Sequence, residues 1–262
     1  MKVSIVTVCF NAAAFLAQTI ESVLAQDYAN LEYIVVDGGS TDDTLGILLK
    51  YAEDPRLQWH TEPDQGIADA MNKGVALASG EIVAHLNADD YYSHPQVISR
   101  VVGYFREHPE ILWLTAGFDF VGEDGSFLRA VKVRRYSFRR LVRGNIILHP
   151  ATFIRYDAFR RAGGFDIGLR YCMDYDLFLR LGEIAPPFLL NEQLSCFRVH
   201  PSSRTITESE QSYAEEFLVR SRFLRQRGKN LFFYRIDYQV KKLFNRLFYR
   251  KLSSAARDGC QC

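Results

Sequence analysis

Two adjacent aspartates, Asp89 and Asp90, follow a short apolar stretch over residues 82–86. This stretch predicts a buried strand, which would deliver both carboxylates to the open edge of a sheet. Carboxylates this close repel each other unless hydrogen-bond donors or a cation compensate, so the pair suits a divalent metal ion. The alternative is a helix cap, because Asp often precedes a helix and a helical pattern begins at Pro95. Asp89 fits the metal role better, and Asp90 fits the cap.

Polar residues also follow two earlier strands of the predicted sheet. Asn11 and Asp37 each come directly after a largely apolar run. The carboxyl ends of parallel strands share one edge, so Asn11, Asp37 and Asp89 are expected to converge on one ligand. Asp37 is suited to accept hydrogen bonds from a base imide or a ribose. It could instead cap the next helix, but Ser40 or Thr41 can do so, which leaves Asp37 free.

Strand and helix patterns alternate over the first hundred residues. This order predicts an α/β fold with a parallel sheet built from right-handed crossovers, in a half of the nucleotide-binding type. After Pro109 a hairpin signal surrounds residues 122–125, and short helices alternate with further strands. The predicted strands cover 2–10, 31–36, 57–60, 82–86, 111–121, 127–133, 149–155 and 188–199, and the predicted helices cover 13–25, 44–52, 66–78, 95–107, 157–162 and 175–181.

Composition and charge argue against several classes of protein. The chain has 262 residues, 48% of them apolar, which is enough for a sizeable core. Residues 220–262 hold 12 Lys and Arg against two Asp, whereas the preceding residues hold 29 acidic and 20 basic side chains. An acidic body with a basic tail does not predict a nucleic-acid partner. Without an apolar stretch of eighteen residues or a signal peptide, and with five scattered cysteines, we expect a cytoplasmic protein without disulfides.

Six short motifs occur in one order along residues 1–205. They are residues 6–11 (VTVCFN), 36–42 (VDGGSTD), 62–74 (EPDQGIADAMNKG), 86–90 (LNADD), 173–177 (MDYDL) and 197–200 (FRVH). In this combination the chain closely resembles the family 2 glycosyltransferases of the GT-A fold. The resemblance implies a GT-A domain over 1–205, with a donor half (1–108) and an acceptor half (109–205). It also implies an enzyme that takes a sugar from a nucleotide-diphosphate donor.

The resemblance assigns the donor contacts position by position. Thr7 and Asp37 would bind the base and the ribose, with Asp64 and Lys73 on the nucleotide side. Asn87 stands where the Asp-x-Asp metal motif of the family begins with Asp. Its amide can still hydrogen-bond the ribose, but it supplies no charge.

The resemblance also implies a metal site. Asp89 is the expected ligand, and His200 matches a histidine that in GT-A enzymes can ligate the metal or contact the diphosphate. A hydrogen-bonded histidine at a strand end is the alternative for His200. Mn²⁺ or Mg²⁺ suits carboxylate and phosphate oxygens, and Mn²⁺ accepts an imidazole more readily. Such an ion would stabilise the charge that grows on the leaving diphosphate.

Asp174 falls on the position of the family's catalytic base, although Met173 replaces the Glu of many relatives. A hydroxyl acceptor needs a base opposite the leaving group, and Asp174 can serve if burial or acidic neighbours raise its pKa from ~3.9. The alternative is a helix N-cap, with Asp176 as a favourable charge in the first turn. One base and one metal without a covalent intermediate predict inversion at the anomeric carbon.

Two basic regions remain. The first is a solvated face or a site for a phosphate or pyrophosphate of the acceptor, and its cations are Lys132, Arg134, Arg135, Arg139, Arg140 and Arg143. Residues 231–252 predict an amphipathic helix with basic and aromatic side chains. Such a helix can lie on an anionic membrane surface or pack on the body or on another subunit.

Together these features predict a glycosyltransferase at the inner face of the cell membrane, attached through a basic helical tail at 206–262. The expected acceptor is a polyprenyl-diphosphate-linked glycan in bacterial surface polysaccharide biosynthesis. Alternatives are a polyprenyl phosphate acceptor, another glycan or a protein acceptor, and an inactive module that binds nucleotide sugars.

Overall fold

The computed structural model describes residues 1–203, 207–232, 234, 236, 238 and 239. The strands in this part of the chain are β1 (Val3–Cys9), β2 (Leu31–Asp37), β3 (Leu57–Thr61), β4 (Ile82–His85), β5 (Tyr91–Tyr92), β6 (Trp113–Val121), β7 (Phe127–Val131), β8 (Thr152–Arg155) and β9 (Phe188–Arg198). The helices are α1 (Leu16–Leu24), α2 (Thr44–Lys50), α3 (Ile67–Leu77), α4 (Val97–Glu107), α5 (Phe138–Arg143), α6 (Tyr156–Ala162), α7 (Met173–Ile184) and α8 (Ser209–Gln226). One short 3-10 helix covers His149–Ala151.

The strands form one sheet in the order β3-β2-β1-β4-β8-β6-β9-β5, and β7 pairs with β6. Strands β1 to β4, all within residues 1–108, are parallel neighbours, with Val3 of β1 opposite both Leu31 of β2 and Ile82 of β4. Every residue of β2 is buried, as in a parallel strand covered by helices on both faces. The loops that follow β1, β2 and β4 therefore leave the sheet along one edge.

The acceptor half extends the sheet with mixed pairing. Strand β8 lies antiparallel to β4 and β6, whereas β9 runs parallel to β6. The two-residue strand β5 pairs antiparallel with β9, so that Tyr91 lies opposite Cys196. Strand β9 thereby brings the residues that follow Cys196 next to the acidic turn after β4.

Helices cover the sheet with two apolar clusters of buried side chains. One cluster includes residues of α1, α2 and α4, and the other includes residues of α3 and of α5 to α8. Neighbouring residues on β1 belong to different clusters, with Ile5 in the first and Val6 in the second. This alternation follows from the period of two along a strand.

The segment predicted as a tail begins with a helix that packs on the body. Val219, Phe223 and Leu224 of α8 are buried in the same cluster as Leu177 and Leu181 of α7. The predicted amphipathic helix at 231–252 lies mostly outside the described residues. No helix of the described part is long and apolar enough to cross a membrane.

Most predicted elements match the observed ones to within a few residues, but β5 and α5 were not predicted and one segment changes type. Residues 149–155 were expected to form one strand, but His149–Ala151 is a 3-10 helix and β8 starts at Thr152. Pro150 accounts for the difference, because proline has no N–H for a sheet ladder and its fixed φ suits the start of a helix.

Two glycines in the middle of helices give a matched test of the packing between α3 and the sheet. A Cβ at Gly74 would lie 2.3 Å from Val6 Cγ1, whereas a Cβ at Gly103 would meet nothing within 4 Å. We expect Gly74→Ala to lower the free energy of unfolding by about 1–3 kcal/mol through overpacking. Gly103→Ala should instead raise it by up to about 1 kcal/mol through helix propensity. Denaturant unfolding measures both variants, and equal effects would contradict the close approach of α3 to β1.

Candidate active site

Two hydrogen bonds between Asn87 and Asp90 close the acidic turn after β4. The Asp90 N–H donates to the Asn87 carbonyl (3.1 Å), and Asn87 Nδ2 donates to Asp90 Oδ2 (2.9 Å). Asp90 is fully buried, and burial together with the charge of Asp89 raises its pKa well above the ordinary value. The amide of Asn87 therefore gives this carboxyl a donor that an ionised Asp at the same position could not supply.

Asp90 does not cap a helix, so that part of the sequence-based prediction is wrong. Helix α4 begins at Val97 and has no side-chain cap at its start. Asp90 Oδ1 instead accepts a hydrogen bond from the backbone N–H of Arg198 (3.0 Å). The pairing of β5 with β9 separates the acidic turn from α4, which holds both aspartates at the sheet.

Asp89 meets His200, which lies 111 residues later in the chain. His200 Nε2 is 3.1 Å from Asp89 Oδ2, and its Nδ1 is 2.9 Å from the Ser202 hydroxyl oxygen. The imidazole also packs against the Phe15 ring, with 4.8 Å between the ring centroids. The Asp89 side chain keeps 30% of its surface exposed, so its carboxylate is open to a ligand.

The donor set of Asp89 and His200 fits a divalent ion. Two ligands at neighbouring positions of an octahedral ion, each about 2.1 Å from it, lie about 3 Å apart. The spacing between Asp89 Oδ2 and His200 Nε2 matches this value. When His200 Nδ1 donates to Ser202, Nε2 presents a lone pair to the carboxylate, and a cation or a proton is needed between them. In the described part of the chain, no cluster of three or more His, Cys, Asp or Glu could hold a metal, so an ion here would need further ligands from a substrate.

The buried side chain of Arg198 holds this arrangement in place. It is only 2% exposed, and its guanidinium donates to the carbonyl oxygens of Asp89 (3.1 Å) and Glu123 (2.6 Å). It also donates to Gln18 of α1 and lies over the Phe15 ring, 4.8 Å from the centroid. Arg198 belongs to one of the six motifs, but no pattern around it indicated that its charge would be buried.

Asp37 accepts hydrogen bonds from its own turn, contrary to the expectation that it stays free. Its Oδ2 accepts from Gly39 N (3.1 Å), Ser40 N (3.0 Å) and Thr61 Oγ1 (2.6 Å), and its Oδ1 accepts from the Ser40 hydroxyl. Burial raises its pKa, but these hydrogen bonds outweigh burial and hold the pKa below its ordinary value. Ser40 therefore donates to Asp37, and the Asp37 carboxylate is the acceptor that holds the turn together.

The loops after β1 and β2 are tied together by Asn11. Its Oδ1 accepts from Thr41 N (2.8 Å), and its own N–H donates to the Ser40 hydroxyl (2.8 Å). Asn11 also has a positive φ of 51°, which asparagine tolerates better than most residues. Thr7 lies deeper, with no exposed surface. Its hydroxyl donates to the Leu86 carbonyl (2.8 Å) and accepts from the Tyr33 hydroxyl (3.0 Å).

The loop after β3 also approaches this edge. A Cβ at Gly38 would lie 2.4 Å from Asp64 Oδ2, so only glycine lets the Asp64 carboxylate come this close. Asp64 Oδ1 accepts from Gly66 N (2.8 Å) at the start of α3. Lys73 forms ion pairs with Glu62 and Asp69, each at 3.2 Å. Lys73 therefore lies on the α3 side of this loop.

Asp174 lies in the first turn of α7 and does not cap the helix, because Cys172 precedes the first helical residue. Its Oδ2 accepts from Asn145 Nδ2 (3.1 Å), and Asn145 Oδ1 is held by the Ile147 N–H (3.1 Å). Burial raises the pKa of Asp174, while His149, the Tyr175 N–H and Asn145 oppose this rise without cancelling it. This is the condition that a catalytic carboxylate requires.

Seven of the nine predicted site residues fall into three groups, while Thr7 is buried in β1 and Lys73 lies on α3. The first group lies in and beside the acidic turn after β4 and comprises Asn87, Asp89 and His200. The second group lies at the ends of β1 and β2 and in the loop after β3, and it comprises Asn11, Asp37 and Asp64. Asp174 is held in the acceptor half by Asn145. Arg198 and Asn145 are partners that the sequence analysis did not assign.

Comparisons with known proteins identify the family of the chain. The family model described as Glycosyl transferase family 2 matches residues 4–161. The PGL/p-HBAD biosynthesis glycosyltransferase of Mycobacterium bovis (strain BCG / Pasteur 1173P2) is 34% identical over 182 residues, which are 68% of this chain and 68% of that protein.

Two solved structures are similar in fold. Residues 1–349 of S. aureus TarS in complex with UDP-GlcNAc match with a TM-score of 0.70 and 20% identity, over 84% of this chain and 65% of that one. The mannosyltransferase PcManGT from Pyrobaculum calidifontis in complex with GDP-Man and Mn²⁺ matches with a TM-score of 0.63 and 20% identity, over 82% of this chain and 63% of that one. This chain therefore aligns with less than two thirds of either solved chain. The family model covers more than half of the sequence, and the chain belongs to glycosyl transferase family 2, as an α/β glycosyltransferase of the GT-A fold.

Proposed function

We propose that the protein is a metal-dependent, inverting glycosyltransferase that moves a sugar from a nucleoside-diphosphate donor to a hydroxyl of a lipid-linked glycan. The observation that carries this proposal is the contact between Asp89 and His200. These two ligand-type side chains come from distant parts of the chain, and their spacing suits one divalent ion. The PcManGT structure holds GDP-Man together with Mn²⁺, which supports the same chemistry here.

In this proposal the donor lies along the edge where β1, β2 and β4 end. Asp64 contacts the base and the ribose, and the buried Asp37 fixes the N–H groups of the turn that faces them. Asn11 holds the two loops together around the nucleotide. Thr7 acts from within the sheet by fixing Leu86, the residue before the acidic turn. The side-chain oxygen of Asn87 accepts a hydrogen bond from the ribose, since its Nδ2 already donates to Asp90 Oδ2. Lys73 contributes positive charge on the nucleotide side.

Asp89 and His200 would hold Mn²⁺ or Mg²⁺, and the bound ion would neutralise the charge of the leaving diphosphate. Asp174 takes the proton from the acceptor hydroxyl as that oxygen attacks the anomeric carbon. Its raised pKa brings its affinity for a proton closer to that of the acceptor oxygen. Because the base is separate from the Asp89 group and no enzyme nucleophile takes part, the displacement inverts the anomeric centre.

The basic residues of the acceptor half support a phosphate-bearing acceptor. Arg134, Arg135 and Arg139 are exposed beside α5, and Asn145, which contacts Asp174, follows that helix by two residues. The M. bovis relative is itself named as a glycosyltransferase of a biosynthetic pathway, PGL/p-HBAD biosynthesis. We extend the proposal to a polyprenyl-diphosphate-linked glycan of a bacterial surface polysaccharide, glycosylated in the cytoplasm at the inner face of the membrane.

The metal assignment predicts that nucleotide binding depends on Mn²⁺ through Asp89. In a thermal-shift assay with UDP, GDP and dTDP, Mn²⁺ should increase the stabilisation of the wild type by at least one nucleotide. Asp89→Asn should abolish this increase, and His200→Gln should weaken Mn²⁺ affinity by about 10-fold. Glu53→Gln removes an exposed charge in the turn after α2 and should behave as wild type. An undiminished Mn²⁺ effect in Asp89→Asn would contradict the assignment.

The base assignment predicts a selective loss of turnover. Asp174→Asn should lower kcat by about 10²–10⁴-fold, because the acceptor proton loses its base, while the affinity for nucleotide and Mn²⁺ stays unchanged. Release of nucleoside diphosphate from the preferred nucleotide sugar measures turnover. Asp157→Asn changes an exposed Asp in the first turn of α6 and serves as the matched control. Wild-type turnover in Asp174→Asn would remove Asp174 from the mechanism.

The same assignment predicts the acid limb of the pH profile. Only the ionised carboxylate accepts a proton, and burial raises the pKa of Asp174, so kcat should fall at a higher pH than an ordinary Asp would allow. Asn145 lowers this pKa through its hydrogen bond. Asn145→Ala should therefore move the acid limb of kcat to still higher pH, and a shift to lower pH would contradict the role of Asp174.

The basic tail predicts binding to anionic lipid. Residues 228–262 hold eight Lys and Arg against two Asp, and each basic side chain near an anionic surface contributes about 1 kcal/mol. The full chain should sediment with phosphatidylglycerol vesicles at low salt but not with phosphatidylcholine vesicles. A chain that ends at Arg227, just after α8, should stay in the supernatant with both. Equal sedimentation of the two chains would show that the tail is not the attachment.

A further inference from the structure

The side chain of Glu215 on α8 reaches the segment that leads into α7. Its Oε1 accepts from the Arg170 N–H (3.0 Å), and its Oε2 accepts from the N–H groups of Tyr171 (2.6 Å) and Cys172 (2.8 Å). One carboxylate thus binds three consecutive backbone donors. The last of these donors lies two residues before Asp174.

These hydrogen bonds fix the conformation of the chain just before the helix. Backbone N–H groups at the start of a helix have no partners within the helix, and a carboxylate there is also favoured by the helix dipole. Hydrogen bonds to an ionised acceptor are shorter and stronger than neutral ones. Residues 170–172 are thereby held in one arrangement, and that arrangement sets the direction in which the first turn of α7 begins.

The carboxylate of Glu215 is itself held in place, because α8 is anchored along its length. Arg222 forms ion pairs with Asp166 (2.6 Å) and Asp176 (2.7 Å), on either side of the 170–172 segment. Arg227 pairs with Glu183 near the far end of α7. Between Glu215 and Arg227, the side chains of Val219 and Phe223 are buried against the body. Helix α8 therefore forms a rigid support for α7.

We propose that Glu215 is a positioning residue, which aims the Asp174 carboxylate at the acceptor hydroxyl by fixing the start of α7. The inference rests on the proposed role of Asp174 as the base. It makes α8 part of the catalytic unit, although α8 lies beyond residues 4–161, where the family model matches. Asp37 ends β2, and Asn87 and Asp89 lie in the turn after β4, so donor binding should not depend on Glu215.

The test compares Glu215→Gln with Glu183→Gln. Both variants replace a carboxylate at the contact between α7 and α8 by a nearly isosteric amide, but Glu183 lies near the far end of α7 from Asp174. Glu215→Gln keeps one acceptor oxygen and turns an NH₂ group toward the backbone donors. We expect kcat to fall by about 10- to 100-fold in Glu215→Gln with the donor KM unchanged, as for a small misplacement of a catalytic group. Glu183→Gln should keep the wild-type kcat.

Hydrogen exchange gives a readout that does not require turnover. The amides of Arg170, Tyr171 and Cys172 should exchange faster in Glu215→Gln than in the wild type, whereas the amides of β1 and β2 should not change. If Glu215→Gln does not fold, Glu215→Asp keeps the charge but shortens the reach, and the same changes in kcat and exchange are expected. Unchanged exchange in a folded variant would overturn the inference.

Asp174→Asn, measured alongside, separates this inference from the proposed function. Loss of kcat in both Asp174→Asn and Glu215→Gln, with normal kcat in Glu183→Gln, supports the positioning role. If Asp174→Asn is inactive while Glu215→Gln turns over like the wild type, the inference fails and the base assignment stands. If Asp174→Asn is fully active, the base assignment fails and the inference fails with it. An equal loss of kcat in Glu215→Gln and Glu183→Gln would show general support of the fold and overturn a specific role for Glu215.

Discussion

The structure of this site depends on a buried positive charge, the guanidinium of Arg198. Taking a guanidinium out of water costs several kcal/mol unless its N–H groups find acceptors, so the surrounding backbone must supply them in one arrangement. The carbonyl oxygens of Asp89 and Glu123 do so, which fastens the end of β4 to the turn between β6 and β7. The backbone N–H of Arg198 also binds the buried carboxyl of Asp90. Two residues further on, His200 lies beside Asp89, where the proposed metal ion would bind.

The carboxylates of Asp89 and Asp174 differ in their exposure to solvent. The Asp89 carboxylate is partly exposed and open to a cation, whereas burial around Asp174 disfavours the charged carboxylate and raises its pKa. A metal ligand has to stay ionised, while a general base works best when its affinity for a proton is close to that of the group it deprotonates. In the proposed mechanism these demands fall on different residues, with Asp89 in the turn after β4 and Asp174 in the first turn of α7.

Preorganisation of the donor edge comes from hydrogen bonds between loops rather than from apolar packing. Asn11 joins the loops after β1 and β2, and Asp37 gathers the N–H groups of its own turn together with the Thr61 hydroxyl of β3. These loops are therefore fixed before a nucleotide arrives, which reduces the entropy lost on binding. The acceptor side is fixed differently, by the carboxylate of Glu215 and the ion pairs of Arg222 on α8.

The sequence by itself determined the α/β class, the order of strands and helices, and the strand ends that carry Asn11, Asp37 and Asp89. These features depend on local apolar periodicity and on turn residues, which are visible within a few positions. The tertiary structure alone decided which partner each polar group takes. Asp90 binds the N–H of Arg198, 108 residues away, instead of capping α4, and Cys172 donates to Glu215, 43 residues away. Asp37 is itself buried and accepts the N–H groups of Gly39 and Ser40 in its own turn. A hydrogen bond forms with whichever group the fold brings within about 3 Å, and sequence spacing does not encode that distance.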